Sequence, residues 1–134
     1  MSAIDVMTAE HQDLRLRLLA EARSLASSVD GTVPFEPARD SLVRFLLDDL
    51  TPHLAMDEGL LTTASSRADT RLLAEAIRGQ RRAIVAAITD LRDAGTAWEA
   101  VAVTRALHSL LAVHHMQEEE LLLPTLSERP APCR

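Results

Sequence analysis

A chain of 134 residues, 47% of them hydrophobic, is long enough to bury about two-thirds of its unfolded surface around one core. One Trp, two Phe, no Tyr and only four Gly favour helices over sheets, and an all-α domain is expected. A net charge of −6, with Arg15, Arg17, Arg78, Arg81 and Arg82 interleaved with apolar positions rather than gathered in a patch, disfavours nucleic acid. No apolar run approaches the roughly 18 residues that span a bilayer, and the stretch MSAIDVMTAEHQ has no basic region, hydrophobic run and cleavage site, so no membrane contact and a cytoplasmic location are expected.

The first predicted helix runs from Ala3 to Ser28, with Ile4, Met7, His11, Leu14, Leu18 and Leu25 spaced to form one stripe. His11 is thus expected to face inward. Asp30-Gly31 and the prolines Pro34 and Pro37 end it, and Pro37 can open the next helix. That second helix, Pro37 to Ala64, places Leu42, Leu46, Asp49, His53, Asp57 and Leu60 on one face. Pro52 lies inside it and is expected to bend the helix just before His53, the alternative being a break into two helices.

Asp69 is a candidate cap for a third helix from Thr70 to Ala94, whose stripe is Leu73, Ile77, Gln80, Ile84, Ile88 and Leu91; Gln80 is its one polar member. Gly95 closes it, and Thr96 with Glu99 makes a capping box that opens a fourth helix, Ala97 to Ser127. Its stripe is Leu107, Leu111, His114, Glu118, Leu121 and Thr125. Four helices of this length, roughly 36 to 46 Å each at 1.5 Å per residue, joined by short loops, predict an up-down-up-down four-helix bundle over residues 1–128. Residues 129–134 are expected to form a flexible tail, and Cys133 within it a mobile thiol without a structural role.

Residues four apart on a helix lie one above the other, so His53 with Asp57 and His114 with Glu118 each point an imidazole and a carboxylate the same way. Ionisable groups on apolar stripes call for something that offsets their desolvation, and a cation does so. His108 and His115, seven residues apart, form a neighbouring stripe expected to face a helix interface or solvent; without an aromatic-rich pocket they do not suggest haem. Trp98 and Phe45 are expected as core or interface anchors.

Glu10-His11, Pro52-His53-x-x-x-Asp57-Glu58 and His114-x-x-x-Glu118-Glu119-Glu120-Leu-Leu-Leu-Pro124 together resemble the hemerythrin-like (HHE cation-binding) family over nearly the whole chain. Asp57 stands in place of the usual Glu, and counting back from Pro124 selects His114 rather than His115. The third element departs from the pattern: Gly79-Gln80 occupies the position of a Glu-His pair, and Ile84 follows four residues on. The resemblance implies a metal held by His11, His53, Asp57, His114 and Glu118, with Gln80 beside it; Glu58, Glu119 and Glu120, one or two residues off the stripe, are expected either to be solvated or to stand as outer partners of the ligands.

Imidazole plus carboxylate with open positions suits iron, or else manganese or zinc. Lacking one imidazole, the site is expected to be mononuclear or asymmetrically dinuclear. Asp57, one methylene shorter than Glu, would bridge two ions only with a backbone shift and is expected as a terminal ligand. Gln80 is expected to coordinate, to contact a metal-bound water, or to fill the interior as an amide. The resemblance implies a non-haem iron protein that meets dioxygen, peroxide or nitric oxide in sensing, storage or detoxification. A bundle that has lost its chemistry and serves as an interaction module, and a small metal-dependent oxidase or peroxide-decomposing enzyme, are the alternatives.

Overall fold

In a computed structural model the described residues, 2–128, are mostly helical, with short turns between the helices and no strand among them. The expected tail 129–134, Cys133 included, lies outside the described residues. Four helical rods follow one another. The first is α1, Ala3–Ser27, opened by a capping box between Ser2 and Asp5. The second comprises α2 (Phe35–Phe45), a π-turn segment (Leu46–Leu50), α3 (Thr51–Met56) and α4 (Glu58–Ser65). The third is α5, Arg71–Asp93. The fourth comprises α6 (Ala97–Met116), a second π-turn segment (Gln117–Leu122) and α7 (Leu123–Ser127).

Contacts between rods run in opposite chain directions, which makes neighbours antiparallel. Arg17 bonds Asp49 and Ser41 bonds Glu21 between rods one and two; Arg39 reaches the carbonyl of Ala94, and Arg78 reaches Ser65, between rods two and three. Gln80 meets Gln117 between rods three and four, and His11 meets Glu119 to close the ring between rods four and one. The turn after α1 uses Gly31 at φ +81°, a backbone state that only Gly adopts cheaply, while Asp30 accepts the Thr32 N–H at 3.0 Å.

The apolar interior falls into two parts. The larger cluster includes Leu14, Leu18, Leu25, Leu42, Leu46, Leu54, Ile84, Ile88, Leu91, Leu107 and Leu111. The smaller holds Leu61, Ala64, Ala74, Ile77 and Leu122. Reading along each rod, Leu54 gives way to Asp57 before Leu61, Leu111 to His114 and Glu118 before Leu122, and Ile77 to Gln80 before Ile84. A polar layer therefore separates the two clusters.

Several expectations are corrected. Pro52 does not break the rod: the Thr51 N–H reaches back five residues to the Leu46 carbonyl, and the wider turn clears the collision a proline ring makes with the carbonyl four residues before it. The same device precedes Pro124, where the Leu123 N–H bonds the Glu118 carbonyl. The interruption falls instead at Asp57, between α3 and α4, with φ −83° and ψ −1°.

Each π-turn also takes up extra residues, so the inward face advances by steps of four: Leu50 and Leu122 are buried where Asp49 and Leu121 were expected, and Leu121 is 46% exposed. Asp69 does not cap α5; it is engaged by Arg67 at 2.7 Å, and Thr70 occupies the cap position without a side-chain bond. The box at Thr96 is half formed, because Glu99 accepts from the Gly95 N–H rather than from Thr96. Phe45 is buried as expected, but Trp98, 71% exposed, is no core anchor.

Candidate metal centre

The polar layer brings His11, His53, Asp57, His114 and Glu118 together in two overlapping groups. One ligand atom each from His11, His53 and Asp57 lies within 4.8 Å of the others, and so do atoms of Asp57, His114 and Glu118. Asp57 is common to both. The interruption of the second rod sits at this residue, which supplies the backbone adjustment that a short Asp side chain needs to lie between two groups.

Most of these side chains are sealed from solvent: His11, His114 and Glu118 are buried, and His53 is 11% exposed. His11 Nε2, His53 Nε2, Asp57 Oδ2, His114 Nε2 and both Glu118 oxygens are buried without a hydrogen-bond partner. Glu118 stands between two imidazoles, its Oε1 2.6 Å from His114 Nε2 and its Oε2 3.5 Å from His11 Nε2, neither with hydrogen-bond geometry. Leaving six polar atoms this way costs roughly 1–3 kcal/mol apiece unless something satisfies them. Nitrogen lone pairs and carboxylate oxygens converging on shared points are the donor set that a divalent cation of borderline softness accepts.

The surroundings support that chemistry. Glu119 Oε1 meets His11 Nδ1 at 3.2 Å. A proton on Nδ1 serves that contact and leaves the Nε2 lone pair facing the cluster, the arrangement in which an outer carboxylate fixes the tautomer of a metal-binding imidazole. Glu119 thus stands where the sequence suggested an outer partner. Glu58 does not: one residue past Asp57 it points outward and is held by Arg78 at 3.0 Å and Arg81 at 2.7 Å. Glu120 is exposed. Gln80 donates from Nε2 to Gln117 Oε1 at 2.5 Å, beside the cluster on the third rod, and its own Oε1 is buried without a partner.

Proximity changes the protonation of these groups. Burial, reinforced by the Glu118 charge, pushes the Asp57 carboxyl up to about 8, against a smaller opposing pull from Arg81. Burial also opposes charge on Glu118, but His114, Asp57 and His11 outweigh it and hold that carboxyl below its ordinary range. Burial lowers His11, partly offset by Glu118. At neutral pH the layer therefore sets one ionised carboxylate against one that keeps its proton.

His115 is the residue that sequence reasoning misplaced. Rather than lying to one side, it is fully buried and stacks on His11, ring centroids 3.7 Å apart and planes within 3°. Burial pushes its pKa down to about 2, and neither ring nitrogen has a hydrogen-bond partner. It fixes the His11 ring from the face while Glu119 fixes it from the edge. The doubled histidine was the available signal: neighbouring residues on a regular helix are about 100° apart, so a rod packed against two neighbours buries both. His108, by contrast, is exposed.

Among the described residues no helix is long and apolar enough to cross a membrane. No known protein family, curated protein or solved structure matches the chain.

Proposed function

We propose that the chain is a non-haem metal protein of the hemerythrin-like type, with an asymmetric dinuclear iron centre that meets dioxygen, peroxide or nitric oxide. The observation that carries this reading is the pair of overlapping triads sharing Asp57, with their inward atoms buried and unpartnered. His11 and His53 would hold one ion and His114 with Glu118 the other, Asp57 serving both. The first position is richer in nitrogen and the second in oxygen, so the two ions differ in ligand field. Iron, when bound, supplies redox chemistry and open coordination positions.

The chain's own contribution is to orient His11 through Glu119 and His115, to place Asp57 at the break between α3 and α4, and to keep bulk water out with the apolar clusters on either side. Manganese or zinc would fit the same donors. Elemental analysis with an optical spectrum tests the reading. Protein reconstituted with ferrous iron and then oxidised is expected to hold about two irons per chain and to show near-ultraviolet charge-transfer bands. A content below about 0.2 per chain without such bands overturns it in favour of a metal-free interaction module, a reading supported by Gln80 bonding to Gln117 rather than turning an imidazole inward.

A further inference from the structure

An open groove of about 440 Å³ lies between α1 and the second rod, with Glu10, Asp13, Asp49, Arg17 and His53 in its walls. Arg17 is committed within it: the guanidinium bonds Asp49 at 2.6 Å, lies 3.9 Å from Asp13 and covers the Phe45 ring at 4.7 Å. Three carboxylates against one cation leave the groove negative, and Glu10 stands at the end nearest the interior, its Oε2 3.7 Å from His53 Nδ1. His53 belongs both to this wall and to the inner triad. Its Nδ1 faces Glu10, while its Nε2 is buried without a partner in the cluster. The groove is thus the outer side of an imidazole whose inner side faces the candidate centre.

We propose that this groove is the loading route for the divalent cation, with Glu10 receiving the ion at the groove's inner end and passing it across the His53 ring to His11 and Asp57. The inference rests on the metal-binding reading above. A cation stripped of water in an apolar interior is prohibitively costly, so a route must offer a new ligand for each water lost. Glu10, half exposed, exchanges with a hydrated ion; His53 comes next; the buried triad completes the replacement. The field of the carboxylates raises the local cation concentration at the mouth. A second groove, about 370 Å³ between α1 and α6, carries Arg23, Arg105 and His108 on its rim and no member of the cluster, so it repels the same ion.

Stopped-flow binding of Co²⁺ to the full chain at low ionic strength tests the proposal with Glu10→Gln, Asp13→Asn and the double variant. Asp90→Asn, an exposed carboxylate on α5 outside the groove, controls for net charge. All variants are expected to reach the parent's stoichiometry at equilibrium. The double variant's loading rate constant should fall about tenfold and lose most of its salt dependence, with Asp90→Asn within about twofold of the parent. An unchanged rate in the double variant overturns the loading route and leaves the metal reading intact. A reduced equilibrium stoichiometry in Glu10→Gln overturns it as well, because Glu10 would then be a ligand. No Co²⁺ bound by the parent removes both the route and the metal reading beneath it.

Discussion

Rods one and three are uninterrupted α-helices, whereas rods two and four each widen into a π-turn, and the irregular pair supplies both carboxylates of the cluster. The difference follows from what each rod must bury. A regular helix packs Leu, Ile and Ala at steps of three and four without adjustment, as α5 does from Ile84 to Leu91. A short, charged side chain has no such tolerance: it must reach a fixed point, and π-turns and local breaks move its Cα where rotamers cannot. Apolar packing supplies the stability of this bundle, and backbone irregularity places its chemistry.

Substitutions on the two sides of this contrast should behave oppositely. Leu91→Ala, in the larger apolar cluster, is expected to destabilise the fold by about 2–5 kcal/mol in denaturant unfolding, equally with and without chelator, because the loss is one of packing. A chelator-dependent loss would show that the two layers are energetically joined. Metal is expected to act through the polar layer alone: ferrous iron or zinc at a hundred times its Kd should stabilise the parent by about 3 kcal/mol, and His53→Ala should remove much of that gain while leaving the metal-free protein little changed.

The acid–base behaviour sharpens the contrast further. Asp57, raised to about 8 in the folded chain, binds a proton that the unfolded chain releases near pH 4, so its contribution to metal-free stability falls as pH rises from about 4 to about 8. His115, lowered to about 2, has the opposite sign: stability is lost as pH drops below about 6.5, where the unfolded imidazole takes up a proton that the buried ring refuses. Asp57→Asn should abolish the loss on the alkaline side, on the order of a few kcal/mol at pH 8, and keep the loss on the acid side in pH-dependent thermal melts. Between about pH 4 and 6.5 the two contributions oppose each other, so a parent whose metal-free stability stays flat from about pH 6.5 to 8 would contradict the carboxylate pairing. The smallest effect belongs to Trp98→Ala, expected to change stability by less than about 0.5 kcal/mol because the indole is 71% exposed.

Much of the bundle was legible because its signals are local. Apolar spacing located four rods, Asp30-Gly31 and Gly95 marked ends, and Thr96 marked a start. Four of the five inward residues were legible as histidine and carboxylate four apart on an apolar stripe, and His11 from its place in the stripe of the first rod. What escaped depends on the turn widening from 3.6 residues. A periodicity of 3.6 carried through Leu46–Leu50 and Gln117–Leu122 selects Asp49 and Leu121, whereas the π-turns deliver Leu50 and Leu122; His115, still on the regular helix, is buried instead by its stacking on His11. Each π-turn ends two residues before a proline, so Pro52 and Pro124 were the available marks; the interruption of the second rod falls at Asp57, five residues past Pro52. Asp69 was misjudged for another reason, and the choice left open for Glu58 was settled in the same way: Arg67 claims the one and Arg78 and Arg81 the other, and partners of that kind are set by the tertiary fold or by turn geometry rather than by a motif.

The shared role of Asp57 is the claim on which the dinuclear reading depends. Native mass spectrometry of the iron-loaded parent beside Asp57→Ala and His53→Ala tests it most directly. Removal of a residue common to both triads is expected to take the content from about two irons to none, and removal of His53 from about two to about one. Two irons retained in Asp57→Ala, or the same content in both variants, would contradict the account.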